Sequence, residues 1–363
     1  MSDRGKTVLG IRNARKHILS VYCPPRPRNR WHFDELFEDS SINYFAYGRQ
    51  ALAHGLRLCG VGQGDHVLIP SYICRDVLSS LRAVGADPLY YDVDKGLQAR
   101  LDPETTPFAR AVLAVNYFGF PQELDAFRRY CERTGASLIE DNAHGLFSRD
   151  QDGCLLGTRG DLGVFSLRKT LPLPNGAALV INRPDLKARL PKQGPFELSS
   201  GDAFFNRKQM LRRIIKLTGL QGAKILISML RLVRQLVTGA SIPLPDPEGE
   251  RLLPEPVNCS PVVKEGIDSA DPGIETKRRR ALYYIFDEFV RARHECTPLF
   301  QDLPKGVVPY GYPFFCGDED FEGIERELFK NGLLCITWPG LPSAVRDSCP
   351  PFYHKTRLIP LLW

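Results

Sequence analysis

Ser137-Leu138-Ile139-Glu140-Asp141-Asn142-Ala143-His144 is a short apolar run that drives straight into two carboxylates and ends on a histidine. Apolar runs this short lack helical spacing and read as strands covered on both faces. In an open sheet of such strands, ligands gather beyond the carboxyl ends. Asp141 therefore falls where a carboxylate meets a bound molecule and holds a heterocyclic nitrogen protonated, since an opposite charge favours the cationic form. The plainer alternative is an aspartate capping the next turn.

Outward from this run the same alternation repeats. Helix is expected over 48–59, 77–84 and 122–134, and strands over 66–69, 88–93, 111–115, 164–166 and 178–181. Strands alternating with helices imply an α/β chain built on a mostly parallel sheet. Residues 1–40 read as an irregular, proline-rich arm, and a long charged helix is expected from about 274. At 363 residues the chain is too long for one small core, so two subdomains are expected. An apolar fraction of 43% and a charged fraction of 25% exclude disordered, collagenous and coiled-coil classes. No run of about 18–20 apolar residues suggests a membrane span. Residues 1–17 scatter Lys and Arg through any would-be signal core, which points to the cytoplasm. Ten cysteines without a C-x-x-C pair read as buried small hydrophobes in a reducing compartment, and His294-x-Cys296 has no second half to make a metal site.

Three further stretches sit just after expected strands or open a helix. In Tyr47-Gly48-Arg49-Gln50, a glycine starts a helix whose free N–H groups and dipole attract an anion, with Arg49 adding a charge; glycine also opens helices for conformational reasons alone. In Phe165-Ser166-Leu167-Arg168-Lys169, a lysine lies three residues beyond a serine. Desolvation at a pocket wall would make its amine nucleophilic, and the serine hydroxyl could bind a phosphate on the same ligand. The alternative is a surface lysine beside a loop. Asn116-Tyr117-Phe118-Gly119 offers aromatic faces for a planar cofactor, or simply core packing.

Together with Pro70-Ser71-Tyr72, Tyr91 to Asp94 and Gly160-Asp161-x-Gly163-x-Phe165-Ser166, these motifs resemble the DegT/StrS-type sugar aminotransferases, over 41–185 well and 270–345 loosely. The resemblance implies the type I fold of pyridoxal-phosphate transferases: a mostly parallel large-domain sheet flanked by helices, plus a small α+β C-terminal domain. The chain is expected to divide into an arm over 1–40, a large cofactor domain over 41–200, a basic helical insertion and linker over 201–255, which the resemblance does not explain, and a small domain over 256–363. The resemblance makes Lys169 and Asp141 catalytic, Lys169 bearing pyridoxal 5'-phosphate and Asp141 facing its ring nitrogen. It places Gly48, Arg49 and Ser166 around the phosphate, Gln50 among the cofactor-binding residues and His144 near the phenolic oxygen. The implied reaction moves an amino group from glutamate to a nucleotide-linked keto-sugar for polysaccharide or related biosynthesis, in a homodimer. Related dehydratases carry histidine in place of the lysine, which Lys169 speaks against.

The sequence also departs from the family pattern. Three residues rather than five separate Phe165 from Lys169, Gly176-Ala177 replaces paired glycines, and the chain stops earlier than family members do. Arg49 stands where a small hydroxylated residue is usual, Cys74 where an aromatic ring is, and Asn175 where a glutamate is. These changes keep open a non-catalytic relative that binds a nucleotide-sugar or a membrane partner.

The net charge of +6 comes from one place: residues 207–234 hold eight basic residues and no acid. Without that segment the chain is mildly acidic, so nucleic acid is not the implied partner. Apolar residues recur there at helical spacing with basics between them, and Gly219 and Gly222 suggest a break into two amphipathic helices. Such helices suit either an anionic membrane surface, placing the protein peripherally on the inner face, or the protein's own body.

Overall fold

A computed structural model describes residues 14–25, 33–37, 40–189, 192–239 and 246–363. In chain order its helices are α1 (Arg15–Tyr22), α2 (Gly48–Leu58), α3 (Leu78–Arg82), α4 (Asp125–Thr134), α5 (Leu167–Thr170), α6 (Pro184–Lys187), α7 (Ser200–Thr238), α8 (Pro261–Asp268), α9 (Pro272–Arg291) and α10 (Asp318–Lys330). Eight strands form the large sheet: β1 (Ser41–Phe45), β2 (His66–Pro70), β3 (Asp87–Val93), β4 (Ala99–Arg100), β5 (Ala111–Val115), β6 (Ser137–Asp141), β7 (Leu162–Phe165) and β8 (Ala177–Ile181). Their order is β1-β8-β7-β6-β5-β2-β3-β4. The run from β7 to β3 is parallel, while β8, β1 and β4 are antiparallel additions at the two edges. Every residue of β5 and β8 is buried, as a sheet covered on both faces requires.

A second, wholly antiparallel sheet is made by β9 (Cys296–Pro298), β10 (Gly311–Cys316), β11 (Ile336–Thr337) and β12 (Thr356–Pro360). Helix α9 starts with Pro272 behind Asp271, whose carboxylate accepts the Ile274 N–H at 3.0 Å; the fixed φ of proline and the cap both favour a helix start there. Its buried face then packs beside the small sheet and α1.

Two expectations change on contact with the fold. The irregular arm over 1–40 lies partly outside the described residues, but 15–22 is a helix. Ile18, Val21 and Tyr22 sit on one face of it, buried, and the Tyr22 hydroxyl donates to the Gly332 carbonyl at 2.5 Å. The cysteines are all free, yet Cys154 is exposed and only four of the ten are fully buried. Helix α7 runs over the basic segment with one kink, at Gly219 (φ 68°, ψ −159°), a backbone state open to glycine and costly for other residues.

Candidate active site

Side chains alternate across a strand, and that alternation separates the two carboxylates at the end of β6. Glu140 turns into the body with no exposure. It pairs with Arg159 at 2.7 Å, accepts the Arg159 backbone N–H at 2.7 Å and accepts from Asn116 at 3.0 Å. Asp141 turns the other way, half-buried, with Oδ1 accepting the Ala143 N–H at 3.0 Å. Burial raises its carboxyl pKa above the usual range, opposed by the positive charge of Lys169 and by the Ala143 hydrogen bond. A cation facing Asp141 is therefore what would keep it ionised.

Lys169 sits on the one-turn helix α5, directly after β7. Arg279, fully buried in α9, holds this turn from behind. It donates to the Thr170 carbonyl at 2.8 Å and to the carbonyls of Pro309 and Tyr310 at 3.0 Å each, and it is neutralised by Glu275 at 2.6 Å. Burial lowers the Lys169 amine below the ordinary lysine value, while Asp141 and Cys74 pull it back up.

His144 links the two catalytic candidates to the sheet. Its Nδ1 accepts the Phe118 backbone N–H at 3.3 Å, and its Nε2 lies 3.1 Å from Lys169 Nζ. Its ring stacks on Tyr310 with centroids 4.2 Å apart and planes within 3°. Burial holds the imidazole pKa well below its ordinary value, with Lys169 adding to the effect, so the ring is neutral. A backbone N–H can only donate, so Nδ1 carries the lone pair and Nε2 the proton. That proton points at Nζ, where only an uncharged amine can accept it. Burial and this contact both favour the free amine of Lys169, the form that attacks a carbonyl carbon.

Phe118 delivers the N–H to His144 from a left-handed conformation (φ 55°), and its carbonyl accepts the Tyr310 N–H at 2.9 Å. Such a conformation is uncommon for a residue with a side chain and persists where surrounding contacts hold it. The aromatic stretch expected to face a cofactor is thus spent on the histidine: Phe118 stacks on it from 5.7 Å, and the Tyr117 hydroxyl donates to the Tyr72 carbonyl at 2.6 Å.

At the expected phosphate position, a Cβ on Gly48 would lie 3.9 Å from the Ser166 Cβ, so the start of α2 and the serine line one spot. Arg49 is drawn aside toward Asp76 (3.6 Å) and the Gly249 carbonyl (3.5 Å). Gln50 does not join the group as expected. Its Oε1 accepts the Tyr47 N–H at 3.0 Å, its backbone N–H goes to the Tyr47 carbonyl at 3.0 Å, and its amide donates to the carbonyls of Pro254 (2.7 Å) and Pro256 (2.8 Å). It fastens the helix start to the 254–256 loop. Arg279 and Tyr310 were not legible as site residues, because the Arg278-Arg279-Arg280 run reads as an ordinary charged helix face.

The fold and these residues define the class: this is the architecture of type I pyridoxal-phosphate transferases. Among solved structures, Helicobacter pylori PseC, an aminotransferase involved in the biosynthesis of pseudoaminic acid, matches with a TM-score of 0.61 at 15% identity over 95% of this chain and 90% of that one. The model of the DegT/DnrJ/EryC1/StrS aminotransferase family matches residues 40–237, and the chain belongs to that family. A curated L-glutamine:2-deoxy-scyllo-inosose aminotransferase from Streptoalloteichus tenebrarius is 34% identical over 153 residues, 40% of this chain and 35% of the relative. The erythromycin biosynthesis sensory transduction protein EryC1 from Saccharopolyspora erythraea is 33% identical over 151 residues, 39% of this chain and 41% of its own length. The matches thus span well under half the length of these two relatives.

The family's aminotransferases depend on pyridoxal phosphate, and the residues present fit it. A buried amine at Lys169, a carboxylate at Asp141 that needs a cation, and a helix start beside Ser166 supply the three kinds of contact the cofactor asks for.

Proposed function

We propose that the protein is a pyridoxal-phosphate-dependent aminotransferase that moves an amino group from glutamate to a keto-sugar carried on a nucleotide. The observation that carries this reading is the contact between His144 and Lys169, an amine whose pKa burial lowers and the charge of Asp141 pulls back up. Lys169 would hold the cofactor, and its amine, once free, would move the proton at the donor carbon. Asp141 keeps the ring nitrogen protonated. Ser166 and the amides at the start of α2 hold the phosphate, and His144 orients the amine. Pyridoxal phosphate, when bound, supplies the electron-accepting ring. The relative named for transfer from L-glutamine to 2-deoxy-scyllo-inosose supports amino transfer as the reaction class. The working unit in this reading is a homodimer.

The test is spectroscopic. Purified protein supplied with pyridoxal phosphate is expected to show a visible absorption band that borohydride fixes covalently, and Lys169→Ala is expected to lose both the fixation and turnover. A Lys169→Ala enzyme with normal rate constants would overturn the assignment. Wild-type protein with no such band would instead favour the non-catalytic reading, which the diversion of Arg49 to Asp76 supports.

The reading includes contact with an anionic membrane surface through α7. No helix among the described residues is long and apolar enough to cross a membrane. The outer face of α7 nevertheless exposes Met210, Ile214 and Leu217 before the kink and Ile225, Met229, Leu232, Val233, Leu236 and Val237 after it. Arg207, Arg213 and Lys216 are exposed beside the first group. Apolar side chains flanked by cations suit an interfacial helix.

A further inference from the structure

Lys169 stands on a helix of one turn, and so short a helix leaves its own carbonyls without partners inside it. Arg279, on α9 and fully buried, supplies what the turn lacks. Its Nη2 donates to the Thr170 carbonyl at 2.8 Å and lies 3.5 Å from that of Lys169. Its Nη1 donates to the carbonyls of Pro309 and Tyr310 at 3.0 Å each, and its Nε donates to Glu275 at 2.6 Å. A guanidinium carries its N–H donors in a planar fork, and here every one of them has an acceptor.

The carbonyls it gathers come from separate places. Thr170 follows β7 of the large sheet, whereas Pro309 and Tyr310 lead into β10 of the small one. Tyr310 is held at three points: Arg279 takes its carbonyl, its N–H donates to the Phe118 carbonyl at 2.9 Å, and its ring stacks on His144 at 4.2 Å. The Lys169 amine lies 5.9 Å from the centre of that ring and 3.1 Å from His144 Nε2. The contacts close on themselves, from Arg279 through Tyr310, His144, Lys169 and Thr170 back to Arg279. Glu275 is also held by Arg278, through Nε at 2.9 Å and through Nη2, and Arg278 donates to the carbonyls of Ser20 (3.1 Å) and Leu361 (2.8 Å). Glu275 therefore keeps a cation if either arginine is replaced.

We propose that Arg279 is a positioning residue for amino transfer: by tying the Lys169 turn to Tyr310, it fixes the amine against His144 in the place from which it moves the proton at the donor carbon. This role rests on Lys169 being the amine that reacts, and it belongs to a group on a helix outside the large sheet. Displacing a reacting group by about 1 Å costs on the order of a hundredfold in rate. Lysine is no substitute at this position, since a point charge on a flexible stem cannot span both sets of carbonyls as the fork does.

The experiment compares full-length wild type with Arg279→Lys and Arg279→Met, with circular dichroism to check folding. Expected in both variants is a kcat lowered about tenfold or more, with the KM for the amino donor changed less than about threefold. The pH midpoint of cofactor loading should lie below 10.5 in wild type and move up toward it in both, because burial lowers the amine and a loosened turn lets water back. A folded Arg279→Met with wild-type midpoint and kcat overturns the proposal. Wild-type values in Arg279→Lys beside an impaired Arg279→Met overturn it too, since a buried charge would then suffice without the fork. Arg278→Gln, which releases Ser20 and Leu361, should lower melting and leave the midpoint in place; a midpoint moved as far as in Arg279→Lys makes the effect a general loss of packing and overturns the role. Failure of both Arg279 variants to fold overturns it in favour of a purely structural one. Lys169→Ala is run alongside: turnover retained there refutes the Lys169 assignment, whereas an inactive Lys169→Ala beside unaffected Arg279 variants refutes the positioning role alone.

Discussion

Arg159→Met removes the cation that lets Glu140 stay buried, and the structure sets the size of the effect. The Arg159 side chain donates to Glu140 through Nη2 (2.7 Å) and Nε (3.0 Å), and to Asn116 Oδ1 at 3.0 Å. Glu140 has no exposure, and the Arg159 side chain has 8%. After the substitution the carboxylate keeps only the residue-159 backbone N–H and the Asn116 amide, too little to replace a lost counter-charge. Breaking one side of such a pair costs about 3–5 kcal/mol. For a protein of this size, at roughly 2–4 °C per kcal/mol, melting should fall by about 10 °C. Glu140→Gln in the same chain removes the stranded charge and should restore more than half of the loss. The network also reaches the site: Asn116, held by Arg159, donates its N–H to the Asp141 carbonyl at 3.0 Å and leads into Phe118. Arg159→Met should therefore weaken cofactor binding as well. The assay is thermal melting and urea unfolding of the four members of the double-mutant cycle. A single-variant loss below about 1 kcal/mol, the range of exposed pairs, would refute the reasoning.

Asp141→Asn should retain the cofactor but slow transamination about a hundredfold, since a neutral amide cannot hold the ring's positive charge; near-wild-type half-reaction rates would mean another carboxylate faces the ring. Burial lowers the Lys169 pKa, so the amine gains its proton only below that lowered value, and loading with cofactor should rise with pH to half-maximum below 10.5. Asp141 opposes that shift, so Asp141→Asn should move the midpoint further down; movement upward would contradict the pairing. For α7, wild-type protein should bind anionic liposomes at low salt, and Arg207→Gln/Arg213→Gln/Lys216→Gln should lose about 3 kcal/mol of it at about 1 kcal/mol per cation. Wild type that stays in the supernatant leaves no membrane contact to explain.

The sequence by itself determined the sheet and the order of its chemistry. Runs such as 111–115 and 137–140 are short and apolar, and only a covered parallel sheet buries them, so the strand ends and Asp141, Ser166 and Lys169 were legible from local pattern. Local pattern also marked 207–234 as amphipathic, because periodicity and charge belong to the segment alone. What pairs with what was decided only in three dimensions. Nothing in Glu140-Asp141 says which carboxylate faces inward until β6 is placed between β5 and β7 and the alternation acquires two named sides. Gln50 looked like a phosphate neighbour because it stands beside Gly48, but the 254–256 loop, some two hundred residues away, claims its amide. Arg212 looked like one more solvated cation of a basic helix, and it is buried against the chain's last residue. The charge state of Lys169 depends on His144, Phe118 and Tyr310, residues far apart in the chain, because burial and hydrogen-bond direction are properties of a packed site and not of a motif.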